Sequence, residues 1–122
     1  MSDKKHEPLL SEIRKILQRD HVTFAELSRL DGFSGDLQIW INHDRVSNVI
    51  IWSGISQEGV DALETIRQEG EYEMTPTPIL TYLIDGAALN LPIAKSARHY
   101  KKPHWSPTVL RRRKGSARAN PG

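Results

Sequence analysis

Apolar residues recur three and four apart near the start of the chain, at Leu9, Leu10, Ile13, Ile16 and Leu17, with Glu12, Arg14, Lys15 and Gln18 between them. That spacing predicts a helix over residues 7–19 that buries one stripe, and Pro8 fits its first turn. Thr23 and Glu26 stand at capping-box spacing, where a hydroxyl and a carboxylate each satisfy a backbone N–H, and Val22 and Leu27 occupy the staple positions. A second, short helix is therefore expected, ending near Asp31-Gly32.

The period then changes to two. Leu37, Ile39 and Ile41 alternate with Gln38, Trp40 and Asn42, and Val49 to Trp52 is a β-branched and aromatic run. This predicts an antiparallel pair whose connection is longer than a two-residue turn. Ser56 as N-cap, the stripe Val60, Leu63 and Ile66, and Gly70 as a left-handed stop predict a third helix over residues 57–69. Tyr72 and Met74 then alternate with Glu71 and Glu73 until Thr75-Pro76-Thr77-Pro78 interrupts, and Ile79 to Ile84 follow. Two prolines prevent ladder pairing there, so the segment reads as a second hairpin with a stiff tip, closed by a turn at Asp85-Gly86. From Ala94 onward the apolar anchors thin to Tyr100, Trp105, Val109 and Leu110. Beyond Arg111 too little apolar surface remains to offset chain entropy, and disorder is expected. The chain thus divides into a body over residues 1–94, a basic aromatic extension over 95–110 that packs on or near the body, and a disordered basic tail over 111–122.

Charge gives this division a functional meaning. Residues 1–94 hold 8 Lys/Arg against 15 Asp/Glu, a net of −7, while residues 95–122 hold 9 against 0, a net of +9. The formal total of +2 conceals two opposite halves. A segregated basic segment points to an acidic partner, such as a nucleic acid, a membrane surface or an acidic protein. With no cysteine, disulfides, thiolate metal sites and cysteine nucleophiles are excluded. No apolar run approaches the roughly 20 residues of a membrane span, and the charged start lacks a secretory segment, so a cytoplasmic protein without membrane contact is expected.

Helix, helix, helix and then two strands around a proline-containing tip is an order similar to that of a winged helix domain. Ile66 to Gly70, Tyr72, the Thr75–Pro78 tip and Tyr82-Leu-Ile-Asp-Gly86 carry the resemblance to a third helix and wing. Trp52-Ser-Gly54, Asp61-Ala-Leu63, Leu91-Pro92 and Tyr100-Lys-Lys-Pro-His-Trp105 also resemble small proteins of bacterial phages and mobile elements. The resemblance implies a DNA-associated regulatory or accessory role. The residues depart from it in two ways. Residues 32–56 separate the second and third helices, where a DNA-binding winged helix has a tight turn. The outer face of the third helix, with Gln57, Glu58, Asp61, Glu64, Gln68 and Glu69, holds Arg67 as its only cation, and a groove would set those carboxylates against phosphates.

Phosphate contact is therefore expected from Lys95, Arg98, Lys101, Lys102, Arg111, Arg112, Arg113 and Lys114, with His99, Tyr100, His104 and Trp105 as aromatic faces among them. The competing reading of Tyr100 and Trp105 is that they fold back as core plugs, and the basic tail has the option of folding onto its own acidic body. A second functional class is a protein-interaction adaptor or inhibitor whose acidic body meets a basic partner surface through Glu58, Asp61 and Glu64. Trp40, on the alternate face of its strand, is a candidate protein contact, including contact with a second copy of the chain. No catalytic residue, cofactor or metal site is predicted: no nucleophile elbow or phosphate loop is present, and His99 and His104, five apart, share neither a helical nor a strand face. The expected fold is α+β, three helices with two β-hairpins, winged-helix-like, plus a basic C-terminal extension.

Overall fold

Leu9, Ile13 and Leu17 are indeed the buried stripe of the first helix, α1 (Ser2–Leu17), which begins earlier than the apolar spacing predicts and carries Pro8 inside it. The computed structural model describes residues 2–113, with side chains from Pro8 onward. Of the tail expected to be disordered over residues 111–122, Arg111 and Arg112 are in a strand, and Lys114 onward lies outside the described residues. After α1 come β1 (Val22–Thr23) and α2 (Phe24–Leu27). The Thr23 hydroxyl caps α2 by accepting from the Glu26 N–H at 3.1 Å. The Glu26 carboxylate turns instead to Arg19, and α2 stops at Leu27, four residues long.

β2 (Ser34–Trp40) and β3 (Ser47–Ile55) form the antiparallel pair that the alternation predicts. α3 (Gln57–Glu69) follows, with the Ser56 hydroxyl accepting from the Gly59 N–H and Gly70 closing the helix at φ 75°. Its buried residues Ala62, Leu63 and Ile66 face the core, and Arg14 of α1 pairs with Glu69 across the two helices. The entry to α3 is clamped from the other side: Phe33 O accepts the Ser56 N–H at 2.7 Å, and Gly32 O accepts the Ser56 hydroxyl.

From here the structure corrects the expected fold. β4 (Tyr72–Pro76) is followed by α4 (Ile79–Asp85), a helix where the second strand of a hairpin was expected. Pro78 enters it at φ −63°, and Gly86 ends it in the left-handed region at φ 85°. Six consecutive apolar residues carry no period of their own, so the punctuation at each end decides, and here it is a helix start and a helix stop. β5 (His99–Trp105) and β6 (Thr108–Arg112) then complete two three-stranded sheets, of order β1-β6-β4 and β2-β3-β5. The first sheet is wholly antiparallel, whereas β5 runs parallel to β3. Among the described residues there are four helices and six strands, and the strand-rich layout is not that of a three-helix winged helix. What read as a basic extension supplies the middle strand of one sheet and an outer strand of the other. The physical reason is apolar: Trp105 is 0% exposed, and Val109 and Leu110 are buried on opposite sides of β6.

An aromatic cluster joins the two sheets. Trp52 stacks on Phe24 at 6.0 Å, approaches Tyr82 at 5.6 Å and Trp105 at 6.2 Å, and Tyr82 meets Trp105 edge-on at 4.9 Å. The Trp105 indole N–H donates to Ile51 O at 3.1 Å. The buried Tyr82 hydroxyl accepts from the Phe24 N–H at 3.0 Å and donates to Thr108 O at 2.6 Å, so one oxygen ties α2, α4 and β6 together. Tyr82→Phe leaves a buried donor and a buried acceptor unpaired, and a loss of about 1–3 kcal/mol is expected in urea unfolding at neutral pH. Burial pushes the Tyr82 phenol well above its ordinary value of 10.0. The neutral form is thus favoured in the fold. As pH rises past 10 the unfolded chain ionises first, and the stability that the neutral phenol contributes is progressively lost. The alkaline limb of the stability profile should flatten in Tyr82→Phe. No helix among the described residues is long and apolar enough to cross a membrane.

Candidate nucleic-acid interface

β5 lies at the margin of its sheet, and its pairing with β3 is irregular. Ser47 pairs with His99 and Val49 with His104, so β5 advances five residues while β3 advances two. The surplus is pushed outward, and it contains Lys101, Lys102 and Pro103, all exposed. The bulge centres on Asn48, which adopts φ 61° and donates its side-chain amide to Tyr100 O at 2.7 Å. Asparagine is among the few residues other than glycine that tolerate that backbone region.

Tyr100 anchors the margin from beneath. Its ring is 8% exposed and packs with Val46 and Val49 in a satellite core, against Ile41 and Ala94. Its hydroxyl accepts from the Lys95 and Ser96 N–H groups at 3.1 and 3.3 Å and donates to Ser96 O at 3.1 Å, which wraps residues 95–98 around it. Burial acts to raise the phenol's pKa, but the donors at Ser96 and Arg98 outweigh it and hold the group below the ordinary tyrosine value. The Arg98 guanidinium lies 4.7 Å from the ring centroid, and the His104 ring stacks on it at 3.9 Å. At the far end of β5, Trp105 N–H donates to Pro92 O and Ala94 N–H to Trp105 O, both at 2.8 Å. Trp105 is thus core, with its edge covered, and unavailable for stacking on a ligand.

The β2–β3 connection adds to this margin. Ser47 N–H donates to Arg98 O at 3.3 Å, and the Ser47 hydroxyl meets His99 Nδ1 at 2.7 Å. A tight bridge between His43 and Val46 brings Arg45 to the same end. Lys95, Arg98, Lys101, Lys102 and Arg45 are all exposed, with Asp44 as the carboxylate of the connection. Sequence reasoning missed Arg45 and His43 because nothing local links them to residues 98–99. The parallel strand pairing does so.

The predicted cations do not form one group. Arg111, Arg112 and Arg113 lie on the other sheet, among carboxylates. Arg111 pairs across from Glu73 and Arg112 from Tyr72, and the Arg112 guanidinium lies 5.8 Å from the Tyr72 ring centroid. The Arg112 N–H donates to Asp20 Oδ1 at 3.1 Å, and Arg113 N–H donates to Glu71 O at 2.8 Å. That Arg112 N–H is the main cause holding the Asp20 carboxyl below its ordinary value. Arg111 Nε is buried without a partner among the described residues. This cluster lies against the acidic body, held there by backbone bonds to Asp20 and Glu71.

The candidate protein contacts are similarly divided. Glu64 accepts from Arg67 Nε at 2.9 and 3.0 Å, and that pairing lowers the pKa of Glu64 and raises that of Arg67. Asp61 accepts from Gln57 at 2.8 Å, and Glu58 is half-buried beside Gly32. Trp40 is 43% exposed, whereas Trp52 is 5% exposed. No protein-family model, no curated protein and no solved structure matches this chain.

Proposed function

We propose that this protein is a non-enzymatic, nucleic-acid-associated accessory or regulatory protein that holds a phosphate backbone along the β5 margin. The observation that carries this reading is the outward bulge of Lys101 and Lys102, flanked by Lys95, Arg98 and Arg45, with Asp44 the carboxylate among them. Cations held on a sheet margin neutralise phosphates without ordering a flexible tail first, and the exposed His99 ring offers a face for a base. Arg111 to Arg113 are expected to contribute little, because they lie at the other sheet, beside Asp20, Glu71 and Glu73.

Five cations at most imply modest, sequence-tolerant binding, with log K falling against log salt at a slope of about −3 to −4.5 on duplex DNA. The test is fluorescence anisotropy with a labelled DNA duplex and a single-stranded RNA over a salt series. Lys101→Glu/Lys102→Glu is expected to weaken binding by about 10- to 100-fold at low salt and to reduce the slope by about 2. Arg113→Glu should change affinity less than about threefold. Absence of binding at any salt, or equal loss from both variants, would overturn the reading.

A further inference from the structure

α4 is an apolar helix turned largely outward. Only Tyr82 is buried on it, while Ile79 is 37% exposed, Leu80 61%, Leu83 57% and Ile84 76%. The helix is not poised to roll inward. The Tyr82 hydroxyl is fixed by Phe24 and Thr108, the Asp85 carboxylate accepts from the Thr23 hydroxyl, and Arg29 holds the Asp85 carbonyl. Taking about 200 Å² for a fully exposed leucine or isoleucine, the four side chains present about 450 Å², comparable to the largest apolar patch of an ordinary monomer, a patch that is often functional.

We infer that this face is covered by the same face of a second copy of the chain, in a two-fold dimer. Two arguments select that occupant. Residues 79–84 carry no charge, Asp85 is turned to Thr23, and Arg29 lies at the C-terminal end of the helix, so a two-fold axis through the centre of the apolar stripe sets uncharged side chains against each other. The acidic outer face of α3 and the cationic β5 margin would each repel its own copy. The area also fits. Two patches bury about 900 Å², and if that forms the roughly 65% apolar share of a homodimer interface, the whole buries about 1,400 Å², within the range of stable interfaces. Leu80, Leu83 and Ile84, at i, i+3 and i+4, form the stripe through which two such helices would pack. The inference is independent of the nucleic-acid reading, although a dimer would present two β5 margins to one strand.

Sedimentation equilibrium of the full chain, from about 5 to about 500 µM, should show the mass rising from 13.9 kDa toward twice that value. Leu83→Glu should remain at the monomer mass at every concentration with an unchanged far-UV circular dichroism spectrum, since the site is exposed. Leu80→Ser is the milder second variant and should weaken the dimer at least tenfold. A wild-type chain that stays monomeric throughout would overturn the inference, as would a dimer of undiminished affinity in Leu80→Ser or any dimer in a folded Leu83→Glu. Co-sedimentation of a monomeric wild-type chain with phosphatidylcholine–phosphatidylserine vesicles, lost in Leu83→Glu, would assign the patch to a lipid surface instead and equally overturn it.

Discussion

A chain ending at Ala94 is expected not to fold, although residues 1–94 contain every helix among the described residues. The cut removes β6, which lies between β1 and β4 and is the strand through which those two belong to one sheet. It also removes Trp105, Tyr100, Val109 and Leu110, each 8% exposed or less, and strands the Tyr82 hydroxyl without Thr108 O. The single substitution Trp105→Ala isolates part of this effect. It deletes the edge-on contact with Tyr82 and the tilted contact with Trp52, and it leaves Ile51 O without its indole donor. Large aromatic truncations in cores cost about 3–5 kcal/mol, against a total of about 5–15 kcal/mol for an ordinary domain. Urea unfolding followed by tryptophan fluorescence should show a strongly lowered midpoint. Lys102→Ala, on the same strand but exposed, should remain within about 0.5 kcal/mol of wild type. Equal stability of Trp105→Ala and wild type would contradict the placement of β5. It also follows that a phosphate-binding test must use point substitutions on the intact chain, because deletion of the basic segment would abolish binding by unfolding.

The second large effect is expected at a residue without a side chain. A Cβ on Gly35 would lie 2.6 Å from Ser56 Cα, 2.9 Å from Ser56 N and 3.0 Å from Ile55 O. All three are backbone atoms, and the Ser56 N–H is itself bonded to Phe33 O. No rotamer change relieves such a contact, so either β2 lifts from β3 or the N-terminus of α3 shifts and loses its Ser56 cap. Ser34 and Leu37 both pair with Ile55, so the irregular register at the start of β2 depends on this close approach. Overpacking costs about 1–3 kcal/mol where side chains can yield, and Gly35→Ala should lie at or beyond the top of that range. Thermal melts would read about 4 °C per kcal/mol for a domain of this size. Asp36→Ala, its exposed neighbour, should be near neutral.

Much of the local structure was legible because its causes are local. The stripe of α1, the Ser56 cap and Gly70 stop of α3, and the alternation of β2 against β3 each follow from residues a few positions apart. The reading failed where the decisive partner is distant. Ile79 to Ile84 fit strand and helix equally, and only Pro78 and Gly86 at the boundaries favour the helix. β5 and β6 hide their strand character because lysines, arginines and a bulge interrupt the period between the buried Tyr100, Trp105, Val109 and Leu110. The charge count grouped the cations as one tail. Pairing with different strands sends Lys101 and Lys102 to one sheet and Arg111 and Arg112 to the other, and brings Arg45 from an unrelated part of the chain.

The position of β6 bears on how the chain reaches its native state. Thr23 pairs with Val109, and Thr75 also pairs with Val109, so the sheet forms only by closing loops between residues far apart in sequence. Closure entropy must be met before those contacts return anything. Local pieces such as α3 have the signals to form early, while the sheet waits for residues 108–112 to dock between strands that have no bonds to each other. Topologies dominated by such distant pairings fold in milliseconds to seconds rather than microseconds. Until that docking, Tyr82 and Trp52 have no Trp105 to cover them, and the half-assembled chain presents its aromatic cluster to solvent.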